Sequence, residues 1–147
     1  MNEELLACQI LLFSSFDTKQ IFEETLNRMF LETPDINNDL LEMECRSIPD
    51  AMAYLAEHFD YQNLNQELLQ KYLILLLKKF YAELPFEVFA GKIAGLWEVL
   101  PFSTNHEDSP FYLAYYYGDL LSAGKTELLK EDIEALLSYY HKAKKSP

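Results

Sequence analysis

Carboxylates spaced three and four residues apart are the first side chains of this chain that could do chemistry. Asp35 with Asp39, and Asp39 with Glu42, would each lie within one turn on one face of a helix. Two carboxylates serve as the acid and base of a hydrolase only where their surroundings separate their pKa values, usually across a cleft. A stripe along one exposed helix gives no such separation. We therefore interpret these residues as a solvated or protein-binding face and predict no catalytic pair.

The histidines and cysteines lack the spacing of a metal site or of an activated nucleophile. His58, His106 and His141 lie far apart, and Cys8 and Cys45 form no C-x-x-C pair. Helical zinc and di-iron sites need pairs such as H-E-x-x-H or Glu-x-x-His, and the sequence contains neither. We expect no metal, no cofactor and no enzymatic activity, and we expect both cysteines to fill the core.

Tyrosines crowd one segment near the C-terminus. Phe111, Tyr112, Tyr115, Tyr116 and Tyr117 follow one another closely, and neighbouring residues on a helix point about 100° apart. At least one of these rings must therefore be exposed. Tyrosine combines apolar area with a polar tip and is enriched at protein interfaces.

The charge is concentrated in the first half of the chain. Residues 1–70 carry 14 acidic and 3 basic side chains, whereas residues 71–147 carry 10 and 9, and the net charge is −12. Binding of nucleic acid requires a cationic surface, so the composition argues against it. An acidic surface instead attracts a basic protein.

The elements that must position these residues are predicted to be helices. Apolar residues recur at three-and-four spacing, and no segment alternates convincingly between apolar and polar residues. Ser47 and either Asn63 or Asn65 have the character of N-caps, and Gly124 that of a C-terminal stop. We predict an all-α fold, a single domain over 1–147, with seven or eight antiparallel helices in an irregular bundle or in stacked hairpins. Their approximate ranges are 2–13, 17–31, 35–46, 48–59, 66–83, 85–100, 110–122 and 126–145.

Two further packing expectations follow from the pattern. The helix over 66–83 is apolar around most of its circumference, which predicts a central position. Gly91 and Gly95 lie on one face of the next helix and predict close approach of a neighbour.

The chain shows no signal for export or membrane insertion. Glu3 and Glu4 stand where a signal peptide carries positive charge. The longest apolar run, 72–77, is far shorter than the roughly 20 residues that span a bilayer. We expect a cytoplasmic protein with no membrane partner, and the oligomeric state stays open.

The segment from Thr33 to Glu44, together with Ser47-Ile48-Pro49-Asp50, resembles the small acidic helical immunity proteins that bacteria keep against toxins delivered between cells. The resemblance implies a toxic enzyme as the partner, often a basic nuclease, blocked by a complementary negative face.

The leading hypothesis is therefore a non-enzymatic protein-binding module, an immunity protein against a basic toxin. Its predicted partner-binding residues are Asp35, Asp39, Glu42, Glu44, Asp50, Tyr54 and Glu57. The alternative is an enzyme or small-ligand-binding protein with a pocket among the aromatic C-terminal helices, lined by Trp97, His106, Tyr116 and Asp119. A third hypothesis, a structural or adaptor domain, predicts a large apolar surface patch.

Overall fold

The computed structural model describes residues 2–32 and 38–140, and every regular element in that part of the chain is helical. No strand occurs there, which confirms the predicted all-α fold. The eight α-helices are α1 (Glu3–Phe13), α2 (Lys19–Glu32), α3 (Asn38–Glu44), α4 (Ile48–His58), α5 (Gln66–Glu83), α6 (Phe86–Ile93), α7 (Tyr117–Ser122) and α8 (Thr126–Leu137). Short 3₁₀ turns cover Tyr61–Asn63, Leu96–Glu98 and Ala114–Tyr116. The end of the last predicted helix, over 126–145, lies outside the residues that the structure describes.

Helix α1 occupies the centre of the fold. All of its residues from Leu5 to Leu11 are buried, and it packs against α2, α4 and α5. The expectation that the helix over 66–83 lies at the centre is wrong, because one side of α5 faces solvent and its Leu75 is 62% exposed. Helix α5 buries one face against α1 and α8 and presents its other face to solvent.

Local capping signals are confirmed in the structure. The Ser47 hydroxyl accepts a hydrogen bond from the Asp50 N–H at 3.3 Å, which starts α4. The Asn65 side chain likewise accepts from the Leu68 N–H at 3.1 Å and starts α5. Gly124, with φ of +70°, follows α7 in the left-handed conformation that favours glycine.

The predicted helix over 85–100 is shorter than expected. Helix α6 ends at Ile93, and a separate 3₁₀ turn follows at Leu96–Glu98. A Cβ atom added to Gly91 or Gly95 would meet nothing within 4 Å, so the predicted close approach of another helix is wrong. Glycine has low helix propensity, which fits the break at Gly95.

The predicted helix over 110–122 is α-helical only from Tyr117 onward, and a tighter winding precedes it. Backbone hydrogen bonds link Ala114 to Phe111 and Tyr116 to Leu113, three residues apart, before α7 begins. Three residues per turn place every third side chain on one face. Phe111, Ala114 and Tyr117 are accordingly all buried, and the tyrosines between them point outward.

Candidate functional site

The exposed face of α4 carries four functional side chains at helical spacing. Asp50, Tyr54, Glu57 and His58 lie along this face, with the small residue Ala53 between them. Glu42 of α3 and Arg46 of the connecting turn complete the lining of an open groove of about 420 Å³. We call it the α3–α4 groove. Its walls carry three carboxylates against one guanidinium.

The ring of Tyr54 is held in place from several directions. Its hydroxyl donates a hydrogen bond to Oδ1 of Asp39 at 2.8 Å. Its ring stacks on His58 with centroids 4.0 Å apart, and the Arg46 guanidinium lies 4.9 Å from the ring centroid. The hydrogen bond to Asp39, followed by desolvation and the negative charge of that carboxylate, raises the pKa of Tyr54. The side chain is thus ordered before any partner arrives.

The carboxylates of the groove differ in how they are neutralised. Glu42 forms an ion pair with Arg46 at 3.0 Å. Asp50 and Glu57 are exposed, and neither carboxylate has an ion-pair partner within the described part of the chain. These two negative charges are therefore available to an external cation.

The structure gathers most, but not all, of the predicted partner-binding residues. Glu42, Asp50, Tyr54 and Glu57 line the groove. Asp39 lies next to it in a small cleft beside Tyr54 and His58, where it orients the tyrosine.

Two other predicted residues fall elsewhere. In its hydrogen-bonding orientation, the amide of Asn27 on α2 donates to both carboxylate oxygens of Glu44, at 3.0 and 3.3 Å. Glu44 therefore contacts α2 and is not part of the groove lining. Asp35 lies outside the described residues.

Arg46 and His58 belong to the groove but were not among the predicted site residues. Each is four residues from a predicted one, Arg46 from Glu42 and His58 from Tyr54. Residues four apart on a helix are neighbours. This spacing was the signal that could have found both.

The alternative pocket is also partly present. Trp97 and Tyr116 line a second open groove, of about 400 Å³, together with Tyr112, Tyr115, Thr104 and Asn105. We call it the aromatic groove. The other two predicted lining residues lie elsewhere. His106 lines a different depression, beside Gln66 and Gln70, and Asp119 lines neither this depression nor the aromatic groove.

The cysteines are placed differently from each other. Cys8 lies in the core of α1, where burial raises the pKa of its thiol to about 12. A thiol with a raised pKa is a poor nucleophile at neutral pH. Cys45 is exposed, so the expectation that it fills the core is wrong. Among the described residues, no three His, Cys, Asp or Glu side chains converge in the manner of a metal site.

Comparison of the chain with protein-family models, with curated proteins and with solved structures finds no match. Within residues 2–32 and 38–140, none of the helices combines the length and the apolar character needed to cross a membrane.

Proposed function

We propose that this protein is a non-enzymatic binding module whose α3–α4 groove receives a basic partner protein, in the way that an immunity protein receives a toxin. The observation that carries the proposal is the pairing of two unneutralised carboxylates, Asp50 and Glu57, with the ordered ring of Tyr54 in one open groove. Tyrosine and arginine are the side chains that most often dominate the binding energy of protein interfaces.

The geometry favours a long cationic side chain as the part of the partner that enters the groove. Asp50 and Glu57 lie seven residues apart on α4, about two turns, with Tyr54 between them. A guanidinium can pair with a carboxylate and at the same time stack on an aromatic face. Arg46 already makes both kinds of contact, with Glu42 and with Tyr54, and His58 stacks on the same ring, so an incoming guanidinium has Asp50 and Glu57 as its partners.

The surrounding charge supports rapid capture of a basic partner. The first 70 residues hold nearly all of the net charge of −12. Part of this negative charge is used inside the fold, since Glu3 is buried and Glu4 pairs with Arg28. The charge that stays exposed around the α3–α4 groove can steer a cation toward it, and salt screens such steering.

The proposal is tested by affinity capture with a matched pair of variants. The full chain is immobilised and exposed to lysate of the source cell, and retained proteins are identified by mass spectrometry. The site variant is Asp50→Asn with Glu57→Gln. The control is Glu127→Gln with Glu131→Gln on α8, which removes the same charge from two exposed residues. Glu127 lies in the first turn of its helix, as Asp50 does in α4.

The expected result is a basic protein retained by the wild type and by the control and lost with the site variant. Retention of the same protein by all three, or capture of acidic proteins alone, would contradict the proposal. Circular dichroism of each variant confirms that loss of binding is not loss of folding.

A further inference from the structure

The aromatic groove is independent of the α3–α4 groove and has a different chemistry. Four of its six lining side chains are aromatic, namely Trp97, Tyr112, Tyr115 and Tyr116. Trp97 meets Tyr115 at 66° with centroids 4.8 Å apart, and Tyr115 meets Tyr116 at 86° with centroids 5.2 Å apart. Successive rings thus meet edge to face.

The tyrosine rings are exposed because the local backbone leaves them no place in the core. The tight winding over 111–117 buries every third residue and turns the tyrosines between them outward. Tyr115 is 53% exposed, Tyr116 49% and Trp97 37%. A cluster of large apolar side chains at one place on the surface is a common mark of a binding site.

The faces of aromatic rings attract cations. Each face carries the negative end of the ring quadrupole, and rings set at angles to one another can surround a cation within about 6 Å of several centroids. No lysine, arginine or histidine is among the six lining residues.

The aromatic lining favours an alkylated ammonium over a primary one. A primary ammonium carries three donors that need acceptors, whereas a trimethylammonium group has none and packs against ring faces. The groove volume of about 400 Å³ falls in the range of small-molecule sites. Thr104 and Asn105 supply hydroxyl and amide groups beside the rings for a polar end of the ligand.

We propose that the aromatic groove binds a small soluble quaternary ammonium compound of the choline or betaine class. The ligand places its trimethylammonium group in the groove, against the exposed parts of the rings of Trp97, Tyr115 and Tyr116. Its polar end contacts Thr104 and Asn105. This site does not depend on the protein-binding function proposed above.

The test compares choline with its neutral isostere, 3,3-dimethylbutan-1-ol, which has the same shape but no charge. Trp97 is the single tryptophan of the chain, so its fluorescence reports on this groove directly. Titrations of the full chain are run at constant ionic strength with sodium chloride as the balancing salt. We expect choline to change the Trp97 emission with an affinity at least about 10-fold higher than that of the isostere.

Two variants test whether choline binds in the aromatic groove. Tyr115→Ala removes the ring that meets both neighbours, and Tyr61→Ala removes a similarly exposed ring outside the groove. Because Tyr115→Ala also changes the surroundings of Trp97, saturation-transfer NMR on the choline methyl protons gives a second readout. We expect the signal to fall at least about 5-fold in Tyr115→Ala and to persist in Tyr61→Ala.

Three results would overturn the proposal. The first is no response to choline up to about 100 mM, well above the concentration at which weak specific sites saturate. The second is equal binding of choline and its isostere, which would indicate apolar contact alone. The third is binding of glucose in place of choline, which would make the rings a platform for sugar stacking.

Discussion

Replacing Glu3 with glutamine tests how the buried acid at the start of α1 holds the fold together. Glu3 is only 4% exposed, and its carboxylate accepts a hydrogen bond from the Asn65 N–H at 3.2 Å, which ties α1 to the start of α5. Glutamine keeps the size and an acceptor oxygen but loses the charge. A hydrogen bond to a charged group contributes about 1.5–3 kcal/mol and a neutral one about 1 kcal/mol, so we expect Glu3→Gln to cost about 1 kcal/mol at pH 7.

The cost should depend on pH in a defined direction. Burial on its own raises the pKa of Glu3, but hydrogen bonds to the carboxylate, including that from Asn65, hold the pKa below its ordinary value. The ionised carboxylate therefore stabilises the fold fully above the pKa of the unfolded chain. This contribution falls as the pH drops below that value and is lost once the folded carboxyl is protonated. The difference between wild type and Glu3→Gln should shrink between pH 7 and about pH 3.

Urea denaturation followed by circular dichroism measures the free energy of unfolding at each pH, and the slope with urea should stay unchanged. The matched control is Glu4→Gln, which removes the neighbouring charge from the same first turn of α1 and breaks the ion pair with the half-exposed Arg28. We expect this control to cost at most about 0.5 kcal/mol. A Glu3→Gln cost that equals the control, or that is the same at pH 3 and pH 7, would refute the reasoning.

Three further predictions concern the stability of the fold. Ser15 has a φ of +71°, so Ser15→Gly should raise the free energy of unfolding by about 0.5–1 kcal/mol in urea denaturation, and an unchanged or lower value would contradict this. The Thr18 hydroxyl donates to the Cys8 carbonyl in the core, so Thr18→Val, which keeps the buried volume, should cost about 1 kcal/mol in the same assay, and an unchanged free energy of unfolding would contradict this. Burial, with a smaller contribution from the charge of Asp132, raises the pKa of Tyr117. The folded state therefore favours the neutral phenol, and this contribution to stability is complete below about pH 10 and is lost as the pH rises further. Melting temperatures should therefore fall less steeply above about pH 10 in Tyr117→Phe than in the wild type, and parallel curves would contradict the assignment.

The sequence predicted best those elements that depend on local chemistry. The bounds of α5 and the caps at Ser47 and Asn65 follow from side chains that satisfy the first free N–H groups of a helix, and these interactions span only a few residues. The winding over 111–117 could not be predicted in the same way. Whether Phe111 and Tyr117 share a face depends on which neighbours can bury both, and that is decided by the tertiary fold.

In the candidate site, too, the features set by helical spacing could be predicted and those set by packing between helices could not. Asp50, Tyr54 and Glu57 share a face because helical spacing places them there, which sequence reasoning can foresee. The hydrogen bond between Tyr54 and Asp39 joins two helices, so it requires the packing angle of α3 on α4. The contact of Glu44 with α2 required the same information.

The most direct test of the central claim is the rate at which the captured basic partner associates with the full chain at different salt concentrations. Biolayer interferometry would compare the wild type with the Asp50→Asn, Glu57→Gln variant and with the Glu127→Gln, Glu131→Gln control. We predict that wild-type association slows at least about 10-fold between about 50 mM and 500 mM sodium chloride, and that the site variant binds about 10-fold more weakly while the control stays within about threefold. Association that is insensitive to salt, or equal weakening in both variants, would contradict the assignment of the α3–α4 groove as the binding surface.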